Sequence, residues 1–168
     1  DVLTDDVMPI EISNHQGKLQ AHVLPSYPQF KVSSEALPSL GEATAHLRPV
    51  YKDSSKLSYQ FSAGFQTTPL PLQKIYVLRK GDKHEISPIT NQNAFGELVR
   101  HTRTINVIQA NKSLVADLFQ LCTQLIKIAD FSYFTRKPAL ADLPYLVQLI
   151  ESDIQGLSTA LSGAVSAQ

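Results

Sequence analysis

The sequence predicts a mixed α/β fold, with a largely antiparallel sheet and about three main helices packed on it. Two alternating apolar segments around a turn cluster indicate a hairpin near the N-terminus, and a run of β-forming residues near position 75 indicates a buried strand. Three segments with apolar residues at three- and four-residue steps indicate helices. With 168 residues, 43% of them hydrophobic, the chain can bury one core, so one domain over residues 1–154 is expected. Residues 155–168 are expected to form a weakly structured tail, either a weak helix or a frayed end.

The N-terminal segments indicate a hairpin followed by a rigid connector. Residues 2–12 read as extended, with Pro9 marking an edge or a bulge because proline cannot donate to a strand ladder. Residues 18–24 alternate apolar and polar side chains, and the turn cluster at residues 13–17 joins the two segments. The Pro-Ser-Tyr-Pro connector at residues 25–28 is stiff, because each proline fixes its own φ angle.

The next segments are shorter and less periodic. Ser33 or Ser34 is a plausible N-cap for a brief helix through Leu40, which Gly41 would end. Residues 42–68 indicate a loop with small polar residues and a short strand. This loop is either a binding segment or a surface connector.

The C-terminal half is more regular. Residues 72–79 form the strongest predicted strand, and the turn at residues 80–82 leads into a second strand at residues 84–89. Asn91 is the predicted cap of a helix that ends near His101.

The last segments predict a long helix, a strand and a closing helix. The helix covers residues 113–129 and the short aromatic strand covers residues 131–135. Asp142 is the predicted cap of the closing helix, with Pro144 in its first turn.

Composition excludes several function classes. Lys and Arg number 15, as do Asp and Glu, so no basic field is present to hold a nucleic acid or a membrane surface. A single cysteine, Cys122, excludes an intrachain disulfide and fits a cytoplasmic protein. The five histidines show no zinc-binding spacing, and no GxSxG, GxGxxG or GxxxxGK[ST] motif is present.

The sharpest chemical signal is the acidic pair Asp5 and Asp6, which follows a short apolar run. Carboxylates are natural ligands of Mg²⁺, and phosphoryl transfer also needs a group that orients the attacking hydroxyl. Neighbouring residues on a strand point to opposite faces, so one acid can face a metal and the other a substrate. The alternative is a polar strand end without a chemical role.

Several short motifs follow one another along the chain. They are Leu3-Thr4-Asp5-Asp6-Val7-Met8-Pro9-Ile10, Pro25-Ser26-Tyr27-Pro28, Arg48-Pro49-Val50, Pro71-Leu72-Gln73-Lys74-Ile75-Tyr76-Val77-Leu78, Arg100-His101-Thr102 and Arg136-Lys137-Pro138. Their order resembles the second half of HPr serine kinase-like proteins, which share a nucleotide-binding fold with the ATP-dependent phosphoenolpyruvate carboxykinases. The resemblance covers residues 2–153 and implies that residues 1–154 are a C-terminal domain fragment of that family.

The resemblance implies a bacterial, cytoplasmic kinase that uses ATP and Mg²⁺ to phosphorylate a serine hydroxyl on a protein or peptide. Asp5 and Asp6 then match the family's acidic pair, one as metal ligand and one as base. Lys56 and Arg136 match basic positions that contact phosphate or substrate. A homo-oligomer is compatible with the sequence.

This chain departs from the family pattern at three points. It contains no phosphate loop, which the family carries before the Asp-Asp strand, so the chain is expected to be the later part of a longer protein and inactive alone. Leu57 stands where an arginine is expected after Lys56, and Gln29 stands where a basic residue often follows Tyr-Pro. The competing hypothesis is therefore a non-catalytic binding module on the same fold that has lost the nucleotide site.

Overall fold

The computed structural model describes residues 2–39, 47–61, 63–103, 105 and 111–165, with side chains left out at residues 38, 39 and 157–165. It confirms the mixed α/β fold, with three mostly antiparallel sheets and helices beside them. The chain divides into two compact units, Asp1–Ile75 with Thr90–Phe131 and Tyr76–Ile89 with Ser132–Gln168. No helix in the described ranges has the length and apolarity needed to span a bilayer.

The described residues of the first unit form two three-stranded sheets and two α-helices. The first sheet has the order β1-β2-β6 and the second β3-β5-β4. The strands are β1 (Ile10–His15), β2 (Lys18–Val23), β3 (Gln29–Ser33), β4 (Arg48–Pro49), β5 (Lys56–Gln60) and β6 (Leu70–Pro71). The helices are α1 (Asn91–His101) and α2 (Lys112–Ile128).

The predicted N-terminal hairpin is confirmed, but its first strand starts later than expected. Strands β1 and β2 pair antiparallel from Ile10 opposite Val23 to His15 opposite Lys18. Gln16 and Gly17 close the turn at φ angles of 53° and 81°, the left-handed geometry that two-residue hairpins use. The turn is therefore shorter than the predicted cluster at residues 13–17.

The expected strand over residues 2–12 is interrupted between Val2 and β1. Only Val2 takes part in a bridge, with Phe65, and the chain bends at Asp5 and Asp6. The Thr4 hydroxyl donates to the Val7 carbonyl and favours this local turn over pairing with a neighbouring strand.

A short 3₁₀ helix at Ser34–Ser39 follows β3 and confirms the brief helix predicted there. The remainder of that prediction, Leu40 and Gly41, lies outside the described residues. The irregular segment contains the short strand that the alternation of Leu57 and Tyr59 predicts, now β5.

The two helices of the first unit each begin one residue before the predicted start. Thr90 rather than Asn91 caps α1, with its hydroxyl accepting from the Asn93 N–H at 3.4 Å. Asn111 caps α2 through its side-chain oxygen. Helix α2 packs on α1 and on the β1–β2 hairpin, and it buries Cys122 and Leu125.

The second unit is organised around a sheet in the order β7-β9-β8, with helix α3 against β8. The elements are β7 (Lys74–Lys80), β8 (Glu85–Pro88), β9 (Asp130–Arg136) and α3 (Leu143–Val165). The predicted turn at residues 80–82 joins β7 and β8, yet these two strands do not pair. Strand β9 lies between them, with Ser132 and Phe134 buried, because the most buried strand takes the central position.

Gly81 is required where this turn crosses the end of β9. A Cβ atom at residue 81 would lie 2.5 Å from Cγ2 of Thr135, so any larger residue would push the turn away from the strand. The Gly81 N–H donates to the Arg136 carbonyl at 3.0 Å, which fixes the turn to β9.

The closing helix begins at Leu143, directly after the predicted cap, and extends beyond residue 154. Asp142 lies in a 3₁₀ turn, Leu140–Asp142, and its carboxylate pairs with His84 at 2.8 Å. Pro144 occupies the first turn of α3, as predicted, and Leu146 is buried. The helix continues to Val165, so residues 155–165 of the predicted tail are helical.

Candidate functional site

The sheet of β3, β5 and β4 has one apolar and one polar face, because consecutive strand residues point to opposite sides. The apolar face carries Phe30 and Tyr59, whose ring centroids are 5.1 Å apart. Phe61 extends this aromatic cluster, 5.5 Å from Phe30 and 5.3 Å from Tyr59. These aromatic rings pack together on one face of the sheet, and the opposite face carries polar side chains.

Strand register sets cations beside hydroxyl groups on the polar face. Lys31 lies opposite Ser58 on β5, and Ser58 lies opposite Arg48 on β4. Lys56 lies opposite Ser33 in the next row. Side chains directly opposite each other on paired strands point to the same face, so three cations share this surface with two serines.

The acidic pair is held at the edge of β3 by backbone hydrogen bonds. The Val2 N–H donates to Gly64 at 3.0 Å, and the Ser26 N–H donates to the Leu3 carbonyl at 2.9 Å. These bonds bring the following residues beside β3, where Oδ2 of Asp5 accepts from the backbone N–H of Lys31 at 2.9 Å.

Asp6 forms an ion pair with the side chain of the same lysine, Lys31. The hydrogen bond and the charge of Lys31 hold the pKa of Asp6 below its usual value, and the charges of Lys56 and Arg103 add to the effect. The side chains of Lys31 and Asp6 are 31% and 54% exposed, so the pair is open to solvent. The Asp6 carboxylate is therefore ionised at neutral pH and accessible to a ligand.

Three of the four site residues predicted from the sequence lie together in the first unit. Asp5 and Asp6 are exposed beside a basic group, although they lie on a bend rather than at the end of a continuous strand. Lys56 lies on β5, close enough for its charge to act on Asp6. Arg136 is the last residue of β9, half-buried, in the second unit.

Sequence reasoning missed two cations of the polar face, Lys31 and Arg48. Gln29 stands where the resemblance leads one to expect a basic residue, and Lys31 lies two residues later. Residues two apart on a strand share a face, so Lys31 presents its charge on the side where a cation at position 29 would lie. This spacing was the signal available in the sequence.

Exposed carboxylates such as those of Asp5 and Asp6 are the ligand type of hard cations such as Mg²⁺. Among the described residues, no group of three or more His, Cys, Asp and Glu side chains is arranged to hold a metal. Mg²⁺ keeps several waters and binds through one or two carboxylates together with substrate phosphates. Asp5 and Asp6 supply two such carboxylates, with lysines nearby to face phosphate oxygens.

Two other features of the chain carry no predicted site residue. A cleft of about 600 Å³ lies along β2, lined by residues that include Lys18, His22 and Lys127. Cys122 is buried, and burial raises the pKa of its thiol, so the reactive thiolate form is disfavoured. We assign neither feature to the candidate site.

A scan of family models and searches of curated proteins and solved structures found no match to this chain. The function is argued from the arrangement of the acidic pair and its neighbouring cations.

Proposed function

We propose that this chain is the C-terminal part of an ATP-dependent, kinase-like protein that phosphorylates a serine hydroxyl on a protein or peptide. The observation that supports the proposal is the contact of Asp5 and Asp6 with one residue, Lys31, beside a face that also carries Lys56. Two exposed carboxylates beside cations are the groups that phosphoryl transfer requires: ligands for a metal, charges for phosphate oxygens and a base.

The two acids differ in a way that assigns their roles. Asp6 pairs with the Lys31 ammonium, which lowers its pKa and keeps it ionised, whereas Asp5 accepts from the Lys31 backbone N–H. We therefore assign Asp6 to the metal. Mg²⁺, when bound, would neutralise charge on the phosphate oxygens. If Mg²⁺ displaced Lys31 from Asp6, the Lys31 ammonium could bind the oxygens of the transferred phosphate.

Asp5 then takes the role of base. Its Oδ2 accepts from the backbone N–H of Lys31, which fixes the orientation of the carboxylate. Its other oxygen, Oδ1, has no hydrogen bond within the described part of the chain and is available to accept the proton of a serine hydroxyl. Holding a base in one orientation reduces the entropy lost in reaching the transition state.

The second candidate function is a non-catalytic binding module on the same fold. The ion pair between Lys31 and Asp6 favours this alternative, because the lysine occupies a carboxylate oxygen that a metal would need. In that case, the cations of the polar face bind an anionic partner, and the acids only hold the N-terminal segment on β3.

Divalent-metal binding distinguishes the two candidates. We expect Mn²⁺, used as a paramagnetic substitute for Mg²⁺, to broaden the Lys31 amide signal in NMR spectra, because this amide bonds to Asp5. The double variant Asp5→Asn, Asp6→Asn should abolish the broadening. Asp53→Asn is the matched control: residue 53 is exposed at φ 65°, a geometry that asparagine also tolerates.

Equal broadening in the double variant and in the control would contradict a metal site at the acidic pair. Absence of broadening in the unmodified chain would favour the binding module. A phosphate loop encoded upstream of Asp1 would add independent support for the kinase.

A further inference from the structure

Strand β2 has an open edge next to the hairpin turn. Strand β1 pairs with β2 along its whole length, whereas β6 pairs only with the last two residues of β2. The Leu72 N–H adds one more bond, to the Ala21 carbonyl at 2.8 Å. The next residue, Gln73, bonds through its carbonyl to the Asp130 N–H instead. In the described part of the chain, the β6 side of β2 is therefore uncovered between Ala21 and the turn.

The backbone of Leu19 presents its polar groups at this edge. Alternate residues of an antiparallel strand bond to opposite neighbours. The Leu24 N–H donates toward β1, to the Pro9 carbonyl at 3.0 Å, and the Ala21 carbonyl accepts from the β6 side. Leu19 is two residues from Ala21, so its N–H and C=O also face the β6 side, where no described residue bonds to them. Unpaired backbone groups at a strand edge are a template for a further strand.

A cleft of about 600 Å³ runs along the open edge. It is lined by residues 17–22 of the hairpin, by Pro71 and Leu72, and by Lys127 and Ile128 at the end of α2. All these residues belong to the first unit. An extended segment lying in the cleft would therefore meet the unpaired backbone groups of β2.

The charge of the cleft is positive. Lys18 and Lys127 are exposed and make no ion pair within the described residues, and no carboxylate is among the residues that line the cleft. His22 lies opposite Glu11 on β1, so the net charge comes from the two lysines. Two copies of this edge would bring their lysines together, whereas an acidic segment complements them.

We infer that the open edge of β2 binds an extended acidic segment of a partner protein as an added antiparallel strand, in line with β6. In an antiparallel pair, a single residue opposite Leu19 makes both backbone hydrogen bonds. The following residue of the segment lies opposite Lys18, and side chains opposite each other share a face, so an aspartate or glutamate there pairs with Lys18.

The same register selects an aliphatic residue opposite Leu19. Leu19 and the buried Ala21 lie on one face of β2, and α2 packs on this strand. A side chain opposite Leu19 shares that face and adds to its apolar contacts. The segment therefore alternates aliphatic and acidic residues. This site uses neither the acidic pair nor the polar face, so it stands or falls independently of the proposed kinase function.

Titration of the full chain with a short, end-blocked peptide that alternates valine and glutamate tests the inference. We expect a saturable shift of the Leu19 amide signal in NMR spectra and slower hydrogen exchange at this amide, because it gains an acceptor. N-methylation of the valines should weaken binding by about tenfold or more, since it removes the donor to the Leu19 carbonyl. A peptide that alternates valine and lysine should bind more weakly still.

Matched charge variants test the position of the peptide. The double variant Lys18→Gln, Lys127→Gln should lower the affinity for the valine–glutamate peptide by about two- to thirtyfold, the contribution of two exposed ion pairs. Lys52→Gln, Lys112→Gln removes the same charge from exposed positions outside the cleft and should leave the affinity unchanged.

Four outcomes would overturn the inference. They are the absence of peptide binding, equal binding of the N-methylated peptide, equal loss of affinity in the two double variants, and a Leu19 shift that depends on protein concentration alone. The last outcome would assign the edge to a second copy of this chain.

Discussion

Each of the two units pairs an acidic side chain with a partner, but the pairs differ in their exposure to solvent. In the first unit, Lys31 and Asp6 are 31% and 54% exposed. In the second unit, the His84 side chain is 10% exposed where it meets Asp142 at 2.8 Å. Tyr76 donates to Asp153 at 2.6 Å from a half-buried position.

The difference in solvent exposure separates pairs that can exchange partners from pairs that stabilise the fold. Breaking an exposed pair costs little, because water replaces the lost contact. Breaking a covered pair leaves a polar group without a partner, which costs more. The candidate site therefore contains an open pair, whereas the His84–Asp142 and Tyr76–Asp153 contacts of the second unit are more covered.

The largest expected effect concerns the base of the open site. If the proposed kinase function is right, Asp5→Asn in a longer protein that supplies a phosphate loop should lower phosphoryl transfer to a serine peptide by about 10²–10⁴-fold, the usual contribution of a general base. The thermal unfolding midpoint should change little, because Asp5 is exposed. Transfer assays with Asp53→Asn provide the control, and unchanged transfer by Asp5→Asn would remove Asp5 from the mechanism.

A smaller effect is expected in the covered pairs of the second unit. Tyr76→Phe should lower the free energy of unfolding by about 1–2 kcal/mol, because Asp153 loses a charge-assisted hydrogen bond. Urea unfolding measures this, with the exposed Tyr51→Phe as the control. Metal binding at Asp5 and Asp6 should not change. If the two variants are equally stable, the Tyr76 hydrogen bond contributes no more to stability than an exposed pair does.

The pH dependence of the Tyr76 contact has a defined sign. Burial first, and the Asp153 carboxylate second, raise the pKa of Tyr76 well above its usual value of 10.0. A raised pKa in the folded state gives stability that is complete below the unfolded pKa and is lost as the pH rises above it. The difference between the wild type and Tyr76→Phe should therefore persist to about pH 10 and shrink beyond it.

The smallest expected effect is on the titration of the open pair. Lys31 lowers the pKa of Asp6, so the carboxyl signal in NMR should titrate below 3.8, and Lys31→Gln should move the midpoint upward. A lowered pKa gives stability that is present above the unfolded pKa and is lost as the pH falls through the folded pKa. Lys18→Gln, on the hairpin, is the control. An unchanged midpoint in Lys31→Gln would contradict the ion pair.

Local patterns in the sequence predicted much of the fold. Alternation predicted the β1–β2 hairpin, and three- and four-residue steps predicted α1, α2 and the start of α3. These predictions succeeded because helix and strand periods are properties of neighbouring residues.

The candidate site was predicted only in part. Asp5, Asp6 and Lys56 were named from the sequence, whereas Lys31 and Arg48 were not. A strand pattern tells which side chains share a face of one strand, but not which strands are neighbours. The row of Lys31, Ser58 and Arg48 exists only because β5 lies between β3 and β4.

The sequence by itself determined the helices, the hairpin and the presence of two exposed adjacent acids. Tertiary structure decided that β9 lies between β7 and β8. It also decided that Lys31, 25 residues away in the sequence, pairs with Asp6. The physical reason is the range of the interactions. Propensity and periodicity act over a few residues, whereas strand order and ion pairs depend on hydrogen bonds and burial between segments far apart in the chain.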